Sequence, residues 1–247
     1  LMLHNDLYQI NMAESYWNDG IHERIAVFDL YFRKMPFNSG YAVFNGLKRV
    51  VNFIENFGFT NEDITYLKSI GYKEDFLNYL KDLKFTGNIK SMQEGEICFG
   101  NEPLLRVEAP LIQAQLIETI LLNIINFQTL IATKASRIRQ IATHDTLMEF
   151  GTRRAQEIDA ALWGARAAFI GGFDSTSNVR AGKLFNIPVS GTHAHALVQT
   201  YGDEYIAFKK YAERHKNCVF LVDTFHTLKS GVPTAIKVAK ELGDTIN

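Results

Sequence analysis

Cysteine is scarce: there are two among 247 residues, Cys98 and Cys218, with no CxxC spacing and no Cys/His cluster. That argues against a disulfide framework and a structural zinc site, and fits a reduced, cytoplasmic setting. Net charge is nearly absent. Twenty-six lysines and arginines against 27 acids leave −1, so overall electrostatics point to neither nucleic acid nor an anionic membrane, although a local anion site stays open. No clean bilayer-length run is present either. The most apolar stretch, LIQAQLIETILLNIINFQTLIA at 111–132, is broken by Gln113, Gln115, Glu118, Asn123, Asn126 and Gln128, and reads as a mostly buried helix of a soluble domain. No basic segment precedes an apolar one at the start, so no secretory signal is expected; the opening Leu1 is read as trimming. Internal repeats, low-complexity tracts and the GxxxxGK[ST] phosphate loop are also missing.

What is there suffices for a globular protein. Hydrophobic residues make up 47% of the chain, and the length fits one large domain or two ordinary ones. A helix is expected over 5–18, opened by Asn5 or Asp6, then a strand over 25–34 whose Phe28, Leu30 and Phe32 alternate. Amphipathic helices follow at 45–57, 61–70 and 73–83, a meander of strands at 86–110, and a long helix at 111–143. Residues 1–143 therefore read as an N-terminal α+β domain with a long connecting helix.

From 144 onward the texture is β-α repeated four times. The expected strands are TLMEFGT, AAFIGG, IPVSG and CVFLVDT, with helices at 153–166, 175–186, 198–215 and 230–242. Apolar runs without alternation imply a parallel sheet covered on both faces, and right-handed crossovers bring all the strand C-termini to one rim. Four strands cannot close a barrel that needs about eight. Residues 144–247 are thus expected to form the first half of an α/β barrel, with the remainder beyond AKELGDTIN.

The strand ends carry the reactive vocabulary. In EFGTRRAQ, Phe150 and the adjacent Arg153 and Arg154 stand at an expected helix mouth, where guanidinium groups and free N–H groups favour an anion; the alternative is solvation or a structural ion pair. GGFDSTSN joins a glycine pair to Asp174, Ser175, Thr176, Ser177 and Asn178, more hydroxyl and amide groups than one helix cap needs. They could cap or hold a phosphorylated ligand. In SGTHAHA, His193 and His195 could bind zinc, divide into a core and an exposed ring, or supply one proton carrier or nucleophile. Asp223 in VDTFHT could orient a sugar diol, hold Mg²⁺ through water, or cap a helix. Together the four loops suit a phosphorylated sugar and a second, anionic substrate.

Taken in order, HNDLYQINMAESYW, ETILLNIINFQTLIATKASRIR, EFGTRRAQ, GGFDSTSNVRAGKLFNIPVSGTHAHA and LVDTFHTLKSGVP resemble the nicotinate phosphoribosyltransferase family over nearly the whole chain. Family members are nearly twice as long, so the likeness is to their N-terminal half. The resemblance implies an α/β protein: an N-terminal α+β domain beside an irregular, type II phosphoribosyltransferase-like α/β barrel. It implies a homodimer with a shared active site that makes nicotinate mononucleotide and pyrophosphate from nicotinate and phosphoribosyl pyrophosphate, with coupled ATP hydrolysis and Mg²⁺, in NAD biosynthesis. Tyr8 resembles the tyrosine that reaches the neighbouring subunit's nicotinate, and Thr192 the nicotinate-contacting threonine. His195 matches the histidine phosphorylated by ATP; no role carries over to His193. Phe150, Arg153, Asp174 and Asp223 resemble substrate-pocket positions, and Ser177 joins them on the substrate side. Arg153, His195 and Asp223 form the expected catalytic set. Nicotinamide or quinolinate phosphoribosyltransferase, or a non-catalytic phosphosugar-binding protein of the same fold, are the rival readings. Residues 1–247 alone are expected to be inactive, because an incomplete barrel exposes strand edges.

Overall fold

In the computed structural model, which describes residues 1–243, the chain divides into two compact units, Leu1–Pro188 and a second beginning at Val189. The first is built around one long helix. Its elements begin with α1 (Leu7–Asn18), β1 (Ile25–Leu30), β2 (Ala42–Val43), α2 (Leu47–Glu55), α3 (Asn61–Ser69) and α4 (Glu74–Asp82). Next come β3 (Asn88–Ser91), β4 (Ile97–Cys98), β5 (Leu105–Pro110) and α5 (Leu111–Ile141). Asp6, one of the two expected caps, precedes α1 and donates its N–H to Gln9 Oε1 at 2.9 Å.

The meander is antiparallel. Strands β1, β5 and β3 form one sheet in that order, with Ile25 opposite Pro110 and Asn88 opposite Glu108, while β2 pairs with β4. Helix α5 supplies the centre of the core: Ile112, Leu116, Ile117 and Ile125 are fully buried against Phe44, Phe76, Leu77 and Leu80. Each such side chain contributes roughly 1.5–3 kcal/mol by leaving water. By length and composition α5 could cross a membrane, but half of its most apolar stretch is buried within the protein.

The first unit continues with β6 (Met148–Glu149), a turn at Thr152–Arg154, α6 (Glu157–Ile170), β7 (Ser175–Thr176) and α7 (Val179–Phe185). Strands β6 and β7 pair in parallel, Met148 opposite Ser175 and Glu149 opposite Thr176. The expected strand AAFIGG is the end of α6 instead. Buried Ala161, Leu162, Ala165 and Ala168 recur at helical spacing, and alanine is the best helix former, so the run continues the helix that packs along α5. That packing keeps 144–188 with the N-terminal residues, whereas the sequence divides the chain at 143/144.

The second unit contains α8 (His195–Tyr201), α9 (Glu204–Ala212), a π-type turn at Thr227–Gly231 and α10 (Val232–Leu242). Val198, Ala207, Phe208, Ala212, Cys218 and Val238 form its small core. The helix expected over 198–215 is two helices, because Gly202 ends α8 in the left-handed region at φ +70° and Asp203 caps α9 by accepting the Ile206 N–H at 2.8 Å. The expected strands at 187–191 and 218–224 contain no regular strand: the first is reduced to a single bridge residue, Val189, next to the Pro188 carbonyl that accepts the Thr176 N–H at 3.0 Å, and the second makes no strand ladder. Residues 244–247 of the expected half-barrel lie outside the described residues.

Candidate functional site

The parallel pair β6–β7 delivers two loops side by side. Phe150 and Arg153 follow β6, Ser177 follows β7, and the Ser177 N–H continues the ladder by donating to the Glu149 carbonyl at 2.9 Å. Phe150 is exposed, and so are both arginines. Among the described residues neither the Arg153 nor the Arg154 guanidinium is ion-paired or hydrogen-bonded, which removes the structural-pair reading. Their setting differs from expectation: they lie in the 152–154 turn, and α6 begins only at Glu157, with Glu157 and Asp159 in its first turn. The anion-attracting end of α6 is therefore already furnished with acids, and the arginines act through their own charge. A pocket of about 310 Å³ opens beside this turn, with Lys134, Glu149, Gly151 and Arg154 at its polar end and Phe127 and Ile131 on its wall.

Asp174 sits at the opposite end of the same strands. Because β7 begins at Ser175, Asp174 precedes the strand, and its Oδ2 accepts the Leu147 N–H at 2.7 Å and an Arg139 Nη2 hydrogen bond at 2.5 Å. The Leu147 N–H and then the Arg139 guanidinium hold its carboxyl below the ordinary value. Arg139 also donates to the carbonyls of Gly172, Ala142 and Asp145 at 2.7, 2.9 and 2.8 Å. It ties the end of α5 to both strands; nothing in KASRIR distinguished it from an outer-face charge. Of the hydroxyl and amide surplus in GGFDSTSN, Asn178 is the cap of α7, accepting the Ala181 N–H at 2.9 Å, and Thr176 Oγ1 donates to Glu149 Oε2 at 2.7 Å. Ser177 stays half-buried with no such commitment.

Tyr8 lies elsewhere on the first unit. It is 48% exposed on α1 and donates to Glu118 Oε1 at 3.4 Å. Partial burial, then the Glu118 and Asp6 carboxylates, push its phenol up. It lines a cleft of about 530 Å³ with Asp6, Tyr31, Arg33, Thr119 and Asn126. Tyr31 and Arg33 were legible only as strand residues. Glu118, beside Tyr8, and Arg139, beside Asp174, stand 21 positions apart on α5 (139 − 118), about 32 Å at 1.5 Å per residue. One chain does not bring Tyr8 to Asp174.

In the second unit the two histidines divide. His193 is 7% exposed among Phe208, Tyr211 and Phe220, and its Nε2 accepts the Leu221 N–H at 3.2 Å. A ring nitrogen so occupied cannot bind zinc, and the paired-ligand reading falls; among the described residues no three His, Cys, Asp or Glu side chains gather as a metal cage. His195 opens α8 with half its side chain exposed. Its Nδ1 lies 3.2 Å from Thr224 Oγ1, and its Nε2 lies 3.9 Å from Asp223 Oδ1, an ion-pair distance beyond hydrogen bonding. Asp223 caps no helix, because His226 takes the capping place before the 227–231 turn. Thr192 Oγ1 donates to the His193 carbonyl at 2.8 Å. An exposed imidazole between a hydroxyl and a carboxylate can carry a proton or attack an electrophile.

A family model described as the nicotinate phosphoribosyltransferase (NAPRTase) N-terminal domain matches residues 3–126. Nicotinate phosphoribosyltransferase of Bacillus subtilis (strain 168) is 67% identical over 248 residues, covering 100% of this chain and 51% of its own. The crystal structure of human nicotinic acid phosphoribosyltransferase matches with a TM-score of 0.87 at 31% identity, covering 98% of this chain and 59% of that one. The nicotinate-nucleotide pyrophosphorylase structure from Pyrococcus furiosus gives 0.79 at 26% identity, with 98% and 54% covered. The chain spans about half the length of the curated relatives it matches.

Proposed function

The chain belongs to the nicotinate phosphoribosyltransferase family and has its mixed type II fold, α+β in the N-terminal half; from that premise we propose that the whole protein joins nicotinate to phosphoribosyl pyrophosphate. The products are nicotinate mononucleotide and pyrophosphate, ATP hydrolysis is coupled, and the reaction serves NAD biosynthesis. The observation that carries this reading is 67% identity to the Bacillus subtilis protein across the entire chain.

The pyridine nitrogen has a free lone pair near neutral pH, so no strong base is needed. Positioning and charge dominate. Cleavage at the anomeric carbon builds oxocarbenium character, as in glycoside hydrolysis. Arg153, a free cation, stabilises an anionic group of the substrates. Asp223 orients ribose or ring, with Phe150, Ser177 and Thr192 on the substrate side; Asp174, at the other end of the strands with its Oδ2 taken by the Leu147 N–H and Arg139, braces them instead. Tyr8 stacks on the pyridine of a neighbouring subunit, because on its own chain the pocket beside the Arg153 turn borders α5 between Phe127 and Lys134, about 14–24 Å along the helix from Glu118. Mg²⁺ would offset charge on the departing pyrophosphate; it commonly needs only one or two carboxylates, so no step here depends on a protein-held cage.

His195 accepts the γ-phosphoryl group of ATP: an imidazole lone pair forms the N–P bond as the bond to the ADP oxygen breaks. Thr224 and Asp223 orient the ring for it. Phosphorylation then adds negative charge and acceptor oxygens that reorganise nearby cations. The free, buried cysteines suit a reduced, cytoplasmic site of action.

The test uses the full-length enzyme. Incubation with γ-labelled ATP should label it, and His195→Ala should abolish the label; undiminished labelling refutes the assignment. Arg153→Ala should lower kcat/KM, and an unchanged value removes it from the catalytic set. Turnover of nicotinamide in preference to nicotinate would assign the amide-using activity instead. Binding without product would assign the non-catalytic one.

A further inference from the structure

Glu149 has no role in the reaction as argued so far, yet it holds the start of both loops. Its Oε1 accepts the Gly151 N–H, and its Oε2 accepts the Thr176 hydroxyl at 2.7 Å. Its carbonyl accepts the Ser177 N–H at 2.9 Å. Each contact is relayed. The Gly151 carbonyl accepts the N–H groups of Arg154 and Ala155 at 2.8 and 3.0 Å, which makes the turn that carries Arg153. Thr176 Oγ1 accepts the Asn178 N–H at 3.0 Å, and Asn178 caps α7.

We propose that Glu149 is the positioning residue of the substrate loops, its half-buried carboxylate fixing the Phe150–Arg154 turn against the segment that carries Ser177. The inference rests on the phosphoribosyl-transfer reading for its kinetic consequence, but not for its geometry. An ionised carboxylate suits the task because it is acceptor-only and can take an N–H on one oxygen and an O–H on the other. The Arg153 guanidinium makes no ion pair or hydrogen bond among the described residues, so the backbone turn is the only ordered structure that sets where the side chain starts.

Gly151 provides an independent handle. Its φ is −83°, open to any residue, but a Cβ there would stand 2.6 Å from Glu149 Oε1. The crowding atom is the end of the Glu149 side chain and not backbone, so an added methyl is accommodated by moving the carboxylate. Gly151→Ala should therefore dislodge Glu149 and reproduce the loss of Glu149, whereas in a Glu149→Ala background the added methyl meets nothing there.

The experiment is a double-mutant cycle in the full-length enzyme. Glu149→Ala and Gly151→Ala should each lower kcat about 100-fold, the effect of roughly 1 Å of misplacement, with KM changed less than about threefold. The double variant should be no worse than Glu149→Ala, where independent effects would multiply. Glu149→Gln should stay within about tenfold of wild type, because its Oε1 still accepts the Gly151 N–H and its Nε2 can donate to Thr176 Oγ1. Hydrogen exchange at the Gly151 amide should accelerate in Glu149→Ala and stay slow in Glu149→Gln. Multiplying effects, wild-type kcat in Gly151→Ala, or an unchanged Gly151 exchange rate in Glu149→Ala would overturn the proposal. If Glu149→Ala fails to fold, Gly151→Ala and Glu149→Gln decide it by the same criteria. An inactive wild type would count against the transferase reading alone, since the exchange measurement still judges the geometry.

Discussion

At the scale of single residues, the His193 ring is packed by Phe208, Tyr211 and Phe220 at centroid separations of 5.5, 5.1 and 6.2 Å, and the Leu221 N–H points at its Nε2. The proton must then sit on Nδ1, which faces the Ala194 carbonyl at 3.3 Å. Burial pushes the imidazole pKa down, outweighing the Ala194 hydrogen bond. The folded protein thus binds this proton less readily than the unfolded chain. Its stabilising contribution is complete above the unfolded value, about 6.5, and is lost as pH falls below it. Urea midpoints should fall from pH 7.5 to 5.5, and His193→Phe should flatten that stretch; parallel profiles would disprove the linkage. His193→Ala should cost about 3 kcal/mol, from the cavity and the orphaned Leu221 N–H, as read by urea unfolding. The HxH spacing allowed a core and an exposed ring but could not assign them, because the aromatic residues that enclose His193 lie 15 to 27 positions downstream.

At the scale of elements, α6 is fastened to α2 by a charge pair with little exposure. Arg166 Nη2 donates to Glu94 Oε2 at 2.6 Å and Nη1 to Glu94 Oε1 at 3.0 Å, and the same carboxylate accepts the N–H groups of Gly46 and Lys48 at the start of α2. Burial raises the Glu94 carboxyl, but Arg166 and the two N–H groups outweigh it, and the net shift is down. Its stabilisation is present above the unfolded value, about 4.3, and is lost as pH falls through the lower folded one. Arg166→Met should cost about 3 kcal/mol by leaving a buried carboxylate unpaired, and adding Glu94→Gln should restore part of it. A single variant as stable as wild type in thermal melts would discard the argument. The joint between α8 and α9 is more local: Gly202→Ala should cost about 1 kcal/mol, because φ +70° crowds a Cβ. An unchanged melting temperature would show that the joint relaxes. Elements with strong periodicity and caps, such as α1 and α3, were legible to within a residue or two. AAFIGG was not, since a short apolar run suits a buried strand and a helix end equally and only its packing on α5 decides. The residue types of the loops after the expected strands stood out in the sequence, but Glu149 and Arg139 did not, because a strand glutamate and a helix arginine look ordinary until their partners are known.

At the scale of the whole molecule, the span of α5 between Glu118 and Lys134 carries a consequence for assembly. Tyr8 touches the first, and the pocket beside the Arg153 turn borders α5 from Phe127 to the second, so a single chain leaves Tyr8 and that turn about 14–24 Å apart along the helix. If both serve one reaction, the tyrosine must be donated to another copy, and a two-fold dimer does this reciprocally. Tyr8→Ala and Arg153→Ala proteins, each impaired alone, then carry their lesions in different halves of a composite site. In a mixed dimer, one site collects both lesions and the other collects neither. Half of the randomly reassorted dimers are mixed and each has one intact site, so denaturing and refolding an equimolar mixture should return about a quarter of wild-type activity. Recovery should require subunit exchange and be absent when the folded variants are mixed without it. A refolded mixture with no more activity than the separate variants would mean that Tyr8 serves its own chain or none, and the argument for a shared site would fail with it.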